Sequence, residues 1–422
     1  MKLLCLSNGH GEDIIAVRIL QELQQLAPTV EISALPIVGE GRAYCQIDIP
    51  LAGETKTMPS GGFIYMDNQQ LVRDIQGGLV GLTLSQIRVV RQWGQSGGQI
   101  LAVGDIVPLL FGWLSGAPYA FVGTAKSEYY VRDEVGFLPH RPLGDRLARS
   151  LGSIYWPWER WMMTHPRCKA VIPRDRITAQ CLKHWQIPVF DLGNPMMDGL
   201  EPGGSYHVPT QVEDSSQGQS PFSLLLLPGS RPPEAYANWE LILQGMPNLM
   251  ATFRNLPLQF LGAIAPGLDP DPLVKTLLNQ GWKSSSTPLL AADPTALCFT
   301  QKNATLVLTQ QAYNDCLHQA DLAIAMAGTA TEQFVGLGKP ALIIPGQGPQ
   351  FTPAFAEAQT RLLGPSVILV EQPTQIARAI QLLLENPDRL QLIAENGPRR
   401  MGKPGAAHRI AACLLENLLR SM

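Results

Sequence analysis

The chain has 422 residues, of which 39 are Gly, 35 are Pro and only 16% are charged, against ~25% charged in typical globular domains. Its 32 basic and 35 acidic residues give a formal net charge of -3. With 45% hydrophobic residues this excludes a disordered chain, the aperiodic Gly and Pro exclude a collagen-like one, and the charge balance argues against a nucleic-acid partner.

In chain order, Lys2–Leu6 reads as a buried strand, Ser7–Gly11 as a loop and Glu12–Leu26 as an amphipathic helix. Further strands are expected at Val30–Leu35, at Ile100–Val103 ending in Gly104-Asp105, at Tyr119–Val122 and at Lys169–Ile172. A helix at Arg174–His184 and a strand at Val189–Leu192 close the first lobe. The alternation then breaks at 201–220, a Gly/Ser/Gln/Pro-rich stretch that reads as a flexible linker. It restarts with a strand at Phe222–Leu227, a helix at Glu234–Phe253 and strands at Leu258–Ala263, Ala304–Leu308, Leu322–Ala327, Ala341–Ile344 and Val367–Val370. Gln375–Glu385 and Ala406–Leu419 read as helices. Strands alternating with helices predict α/β architecture, with two doubly wound, Rossmann-like parallel-sheet lobes over 1–200 and 221–400. The helix within 401–422 is expected to pack back on the first lobe. Ligands of such sheets bind at the carboxyl ends of the strands, so the expected site is an interlobe cleft.

The seven cysteines are scattered without metal spacing, and the histidines form no metal motif. No metal or cofactor is therefore expected. The N-terminus lacks a signal-peptide pattern, and no stretch approaches the ~20 apolar residues of a membrane span. The expectation is a cytoplasmic protein, free or on the inner face of a membrane.

Three segments carry candidate chemistry. In Leu226-Leu227-Pro228-Gly229-Ser230-Arg231, Gly229 lets the backbone approach a ligand, Ser230 and the helix start offer anion donors, and Arg231 can grip a diphosphate. The alternative is an ordinary strand-to-helix turn. In Ala327-Gly328-Thr329-Ala330-Thr331-Glu332-Gln333, the small residues from Gly328 to Thr331 leave backbone N–H groups for phosphate, and Glu332 can accept ribose hydroxyls. The alternative there is a capping box with Thr329 as N-cap. The third segment is the Gly/Pro loop Pro345–Thr352 at a strand end, containing Gln350.

In this order the three segments resemble the donor half of nucleotide-sugar glycosyltransferases with two Rossmann-like lobes, the GT-B architecture. The LLPGSR run with Glu234 downstream resembles lipid-A-disaccharide synthase, and the GTATEQ and GKPALIIP runs resemble that enzyme and the peptidoglycan N-acetylglucosaminyltransferase. The chain as a whole resembles lipid-A-disaccharide-synthase-related proteins. The resemblance implies that Arg231, Gly328, Thr329 and Glu332 contact the diphosphate and ribose, and Gln350 the donor sugar. The first lobe departs further. Its loop Ser7-Asn8-Gly9-His10-Gly11-Glu12-Asp13 keeps Gly9, Gly11 and the acidic pair Glu12 and Asp13 of an acceptor-side loop, but inserts His10. His10 reads as a general base or as a helix cap. Asp105 matches an Asp that acts as base in the lipid-A enzyme, or is the N-cap of the next helix. Gly193-Asn194-Pro195 resembles a turn shared with the UDP-N-acetylglucosamine 2-epimerases and reads as a hinge turn.

Tyr155–Met163 holds Trp156, Trp158 and Trp161, and Lys126–Arg174 carries nine Lys/Arg against five Asp/Glu. This suits a face on an anionic bilayer. The alternative is a core helix with Tyr155, Trp158 and Met162 on its buried side. The functional expectation is an inverting, metal-independent glycosyltransferase with a nucleoside-diphosphate sugar donor, UDP-linked, and a lipid acceptor. The rivals are an epimerase on the same fold and a non-catalytic nucleotide-sugar or lipid-binding protein.

Overall fold

The computed structural model describes residues 1–53, 55, 79–139, 143–203, 220–285 and 293–419, with the side chains of residues 10, 79–80 and 143–146 excepted. Most of the expected linker, 204–219, lies outside the described residues. The chain forms two units: Met1–Asp198 with Gly402–Met422, and Gly199–Met401.

The first unit is built on five parallel strands, β1 (Lys2–Ser7), β2 (Glu31–Pro36), β3 (Gln99–Gly104), β4 (Tyr119–Gly123) and β5 (Cys168–Ile172), in the order β2-β1-β3-β4-β5. Both sheet faces are covered, which is why these strands read as continuous apolar runs. The period of two sends Leu3 and Cys5 into one core with helices His10–Leu26 and Ala406–Leu414. Leu4 and Leu6 enter a second core with helices Leu79–Gln95, Ile106–Leu114 and Pro157–Thr164. The returning C-terminal helix is fastened at its start. The Asp198 carboxylate accepts the backbone N–H groups of Gly405, Ala406 and Ala407 at 2.6–3.1 Å. The expected strand at Val189–Leu192 is not formed. Only the single bridge Val171–Val189 extends the sheet there, because the chain turns away towards Gly193 (φ +87°). The Asn194 turn is held by the Met196 N–H on its own Oδ1 and by Arg18 donating to the Pro195 carbonyl.

The second unit carries β6 (Phe222–Leu227), β7 (Leu258–Ala263), β8 (Lys283–Ser285), β9 (Leu297–Gln301), β10 (Ala304–Thr309), β11 (Leu322–Ala325), β12 (Ala341–Ile343) and β13 (Val367–Leu369). Their order is β13-β12-β11-β6-β7-β10-β9-β8. Six strands are parallel; β8 and β9 add an antiparallel edge. The expected helix Glu234–Phe253 is two helices, Glu234–Gln244 and Met246–Thr252. The break falls at Gly245, where a Cβ would lie 2.6 Å from Ile376 Cδ1, with Pro247 in the first turn that follows.

Candidate functional site

Each sheet has one place where successive connections depart in opposite directions. In the second unit it lies between β6 and β11, in the first between β1 and β3. The loops diverge there and leave room for a ligand. The sequence-predicted residues other than Gln350, which follows β12, lie at these two places.

At the end of β6 the chain turns through Pro228 and Gly229. Gly229 has φ +102°, and a Cβ there would lie 3.2 Å from the Met326 carbonyl oxygen, so only glycine lets the ends of β6 and β11 close on each other. Asn238 Nδ2 donates to the Pro228 carbonyl at 3.0 Å, and Met326 N–H to Leu227 O at 2.8 Å. Ser230 is exposed and Arg231 half-buried. Beyond β11, helix Thr329–Gly336 has Gly328 as its N-cap, a residue with no side chain to cap it. The expected capping box with Thr329 at the N-cap is thus not formed; Thr329 is the first helical residue and exposed. A glycine N-cap leaves the first-turn backbone N–H groups without a cap from that residue, an arrangement shared with anion-binding helix starts. Thr331 is turned inward and donates its hydroxyl to the Ala327 carbonyl at 2.5 Å, which removes that side chain from the open face. Glu332 is buried in the first turn. Gln350 is half-buried in the loop after β12. Its backbone N–H and that of Phe351 donate to the Glu234 carboxylate at 2.7–3.2 Å.

At the end of β1, Gly9 (φ +130°) is the N-cap of helix His10–Leu26, so the capping alternative for His10 is filled by Gly9; the His10 side chain is outside the described residues. Gly11 is open to solvent. Asp13 is buried and accepts from Ser7 Oγ at 2.5 Å, and Ser7 in turn accepts from Tyr44 OH. Glu12 stays at the strand ends, accepting weakly from Thr124 Oγ1 at 3.4 Å. Gly104 (φ +137°) ends β3 beside it: a Cβ there would lie 3.2 Å from Pro108 Cγ and 3.4 Å from Asn8 Cβ and Glu12 Cγ.

Asp105 is only 8% exposed and caps helix Ile106–Leu114 through the Val107 N–H at 2.8 Å. The cap engages one oxygen, so capping and proton transfer are compatible roles. Burial raises the Asp105 carboxyl above its ordinary range, opposed by the Val107 N–H and by Lys126, and reinforced by Glu159. Burial also raises Glu12, with Asp105 and Asp13 adding to it. Lys126 and Glu159 form a pair at 2.6 Å that sequence reasoning missed as part of this site. The signal was there: Lys126 follows the end of β4 by three residues, where a parallel sheet presents its functional loops.

The Trp segment corrects its expectation. On helix Pro157–Thr164 the charged pair is buried and the tryptophans are not: Glu159 is 1% exposed and Arg160 8%, whereas Trp158 is 53% and Trp161 54% exposed. Glu159 is held by Lys126 and by the Trp156 N–H, and Arg160 lies over the Trp185 ring at 4.1 Å. Tyr155 and Met162 do enter the core, but Trp158 does not share their face. Among the described residues no helix is long and apolar enough to cross a membrane, and no three His, Cys, Asp or Glu side chains are grouped as a metal would require.

No protein-family model matches the chain, and no curated protein sequence matches it either. Solved structures do. The calicheamicin glycosyltransferase CalG4 is 14% identical, with 100% of this chain and 98% of that one covered at a TM-score of 0.59. MurG of Acinetobacter baumannii is 14% identical over 98% and 99% of the two chains, TM-score 0.53. The UDP-GlcNAc 2-epimerase of Neisseria meningitidis, solved with UDP-GlcNAc bound, is 16% identical over 99% and 100%, TM-score 0.52. The fold is GT-B. The strand-end loops of the two units hold Gly229–Arg231, Gly328–Glu332, Glu12 and Asp105.

Proposed function

We propose that this chain is an inverting glycosyltransferase related to lipid-A-disaccharide synthase, moving a sugar from a UDP-linked donor to a lipid hydroxyl. The observation that carries the reading is the glycine-capped helix start at Gly328–Thr331 beside the Gly229 turn, with Arg231 and Glu332 at the same strand ends. The helix start and Arg231 take the diphosphate charge as it develops, and the Glu332 carboxylate takes the ribose hydroxyls. With that positive field supplied by the chain, the chemistry proceeds without a metal. Asp105, raised by burial and so matched to proton transfer nearer neutrality, removes the acceptor proton as its oxygen attacks the anomeric carbon and the diphosphate departs.

The exposed Trp158 and Trp161, with Leu110 exposed on the neighbouring helix Ile106–Leu114, support a face that rests on the inner surface of an anionic membrane and receives a lipid acceptor. Replacing both tryptophans with Ser is expected to abolish co-sedimentation with anionic vesicles while leaving the melting temperature nearly unchanged, since both side chains are half in solvent.

The likeness to a UDP-GlcNAc 2-epimerase supports a second reading, epimerisation of the donor with no acceptor. Incubation with UDP-GlcNAc separates the two. A transferase consumes donor and releases UDP only when a lipid extract is added. Formation of the C2 epimer from UDP-GlcNAc alone would replace the transferase reading with the epimerase one.

A further inference from the structure

We propose that Glu234 is the positioning residue for the Gly346–Phe351 loop and thereby sets discrimination between donor sugars; this rests on the reading of the second unit as the donor side. The loop follows β12 and is closed at its base by the Gly346 N–H on the Phe351 carbonyl at 2.8 Å. The Glu234 carboxylate stands in its mouth. One oxygen accepts the Phe351 N–H at 2.7 Å and the Gln350 N–H at 3.2 Å, and the other accepts the Gln350 N–H at 3.1 Å. Glu234 is buried, so these are charge-assisted bonds shielded from water, the strongest kind available to a loop. They fix the backbone from which the half-buried Gln350 side chain departs.

Two further observations show that the loop is shaped around this carboxylate. A Cβ on Gly348 would lie 2.3 Å from Glu234 Cδ and 2.6 Å from its Oε1, so residue 348 has no side chain because the carboxylate occupies that space. One helical turn on, buried Asn238 donates to the Pro228 carbonyl, and a Cβ on Gly346 would lie 3.1 Å from its Oδ1. Helix Glu234–Gln244 thus holds the turn that follows β6 with one side chain and the loop that follows β12 with another, four residues apart on one face. The Gly229–Arg231 turn faces the diphosphate in the donor reading, and the Gly346–Phe351 loop is left for the part of the donor beyond it, the sugar. Loss of Glu234 should therefore weaken the grip on a UDP-sugar without equal loss for UDP.

The test uses the full chain with UDP and UDP-GlcNAc as probes. In Glu234→Ala, amide hydrogen exchange over 346–351 is expected to speed up by about tenfold or more, with β6 and β7 unchanged. UDP affinity is expected to stay within about threefold, and UDP-GlcNAc affinity to fall about tenfold. Glu234→Gln, whose amide oxygen can still accept both N–H groups, should recover most of the difference. Gly348→Ala should reproduce Glu234→Ala by displacing the carboxylate. Unchanged loop exchange overturns the proposal, as does equal weakening of UDP and UDP-GlcNAc, which marks a merely structural role. Wild-type protein that binds neither probe sinks the donor reading and the selectivity role with it; that case is recognised because Arg231→Ala then has no binding to lose.

Discussion

At the carboxyl ends of β6 and β11 stand a glycine-capped helix start, half-buried Arg231 and buried Glu332; at the carboxyl ends of β1 and β3 stand two carboxyls raised by burial, Glu12 and Asp105. Both places are switch points of a parallel sheet, and both rely on a glycine with positive φ to bring two strand ends together, Gly229 in one and Gly104 in the other. The same backbone plan therefore ends at a glycine-capped helix start in one unit and at a carboxyl raised by burial in the other. The difference lies in what fills the first helical turn. Gly328 brings no side chain to its helix start, whereas Asp105 occupies the Val107 N–H and brings its own carboxyl into a buried place.

The largest expected effect comes from removing the carboxylate of the first unit. Asp105→Asn keeps a side chain that caps helices as well as Asp does but cannot take a proton. Sugar transfer is expected to drop by about 10²–10⁴-fold, the usual range for a lost general base. Stability should move the other way. The raised Asp105 carboxyl means that, above the ordinary carboxylate range, the folded chain holds a proton that the unfolded chain has released. Stability therefore falls as pH climbs through the folded value, and Asn is exempt from that loss. Asp105→Asn should melt no lower than wild type at neutral pH. An active Asp105→Asn would break the contrast between the two units.

A smaller effect is expected from the second unit. Arg231→Ala and Glu332→Ala should each weaken UDP binding by about 1–3 kcal/mol, as for lost charge-assisted hydrogen bonds, while leaving the pH profile of transfer unchanged. Calorimetry with UDP measures the first and a rate profile the second. If neither substitution alters UDP affinity, the positive field of the second unit has no ligand and the donor assignment fails.

Much of this contrast is legible in the sequence because buried parallel strands are apolar runs closed by Gly, Pro or Asp. Leu224–Leu227 and Ile100–Gly104 announce both the strand and the loop that follows. Where a side chain's partner decides its place, the sequence is silent. Glu159 and Arg160 look like surface residues until Lys126, the Trp156 N–H and the Trp185 ring are found beside them, and the tryptophans look like core until those charges have taken the buried face. The edge strand Lys283–Ser285 is three polar residues with no apolar pattern, visible only through its pairing with Leu297–Gln301. Glu234 reads as a helix-start acid, and its hold on Gln350 and Phe351 spans more than a hundred residues of chain.

The smallest expected effect is a displacement of the acid limb of transfer, and its sign makes it informative. Lys126 favours the charged form of Asp105 and Glu159 opposes it, although the two are paired at 2.6 Å. Glu159→Gln keeps an oxygen for the Trp156 N–H, leaves Lys126 uncompensated, and so lowers the Asp105 carboxyl; the acid limb should move to lower pH. Lys126→Gln leaves Glu159 uncompensated and raises the Asp105 carboxyl further, moving the limb to higher pH. Each variant breaks a buried pair and loses stability, by about 3–5 kcal/mol at most, so rates are compared well below both melting temperatures. A general loosening of the fold would shift both profiles the same way or only lower their heights. Opposite displacements require the titrating base to lie within the field of this pair, as Asp105 does.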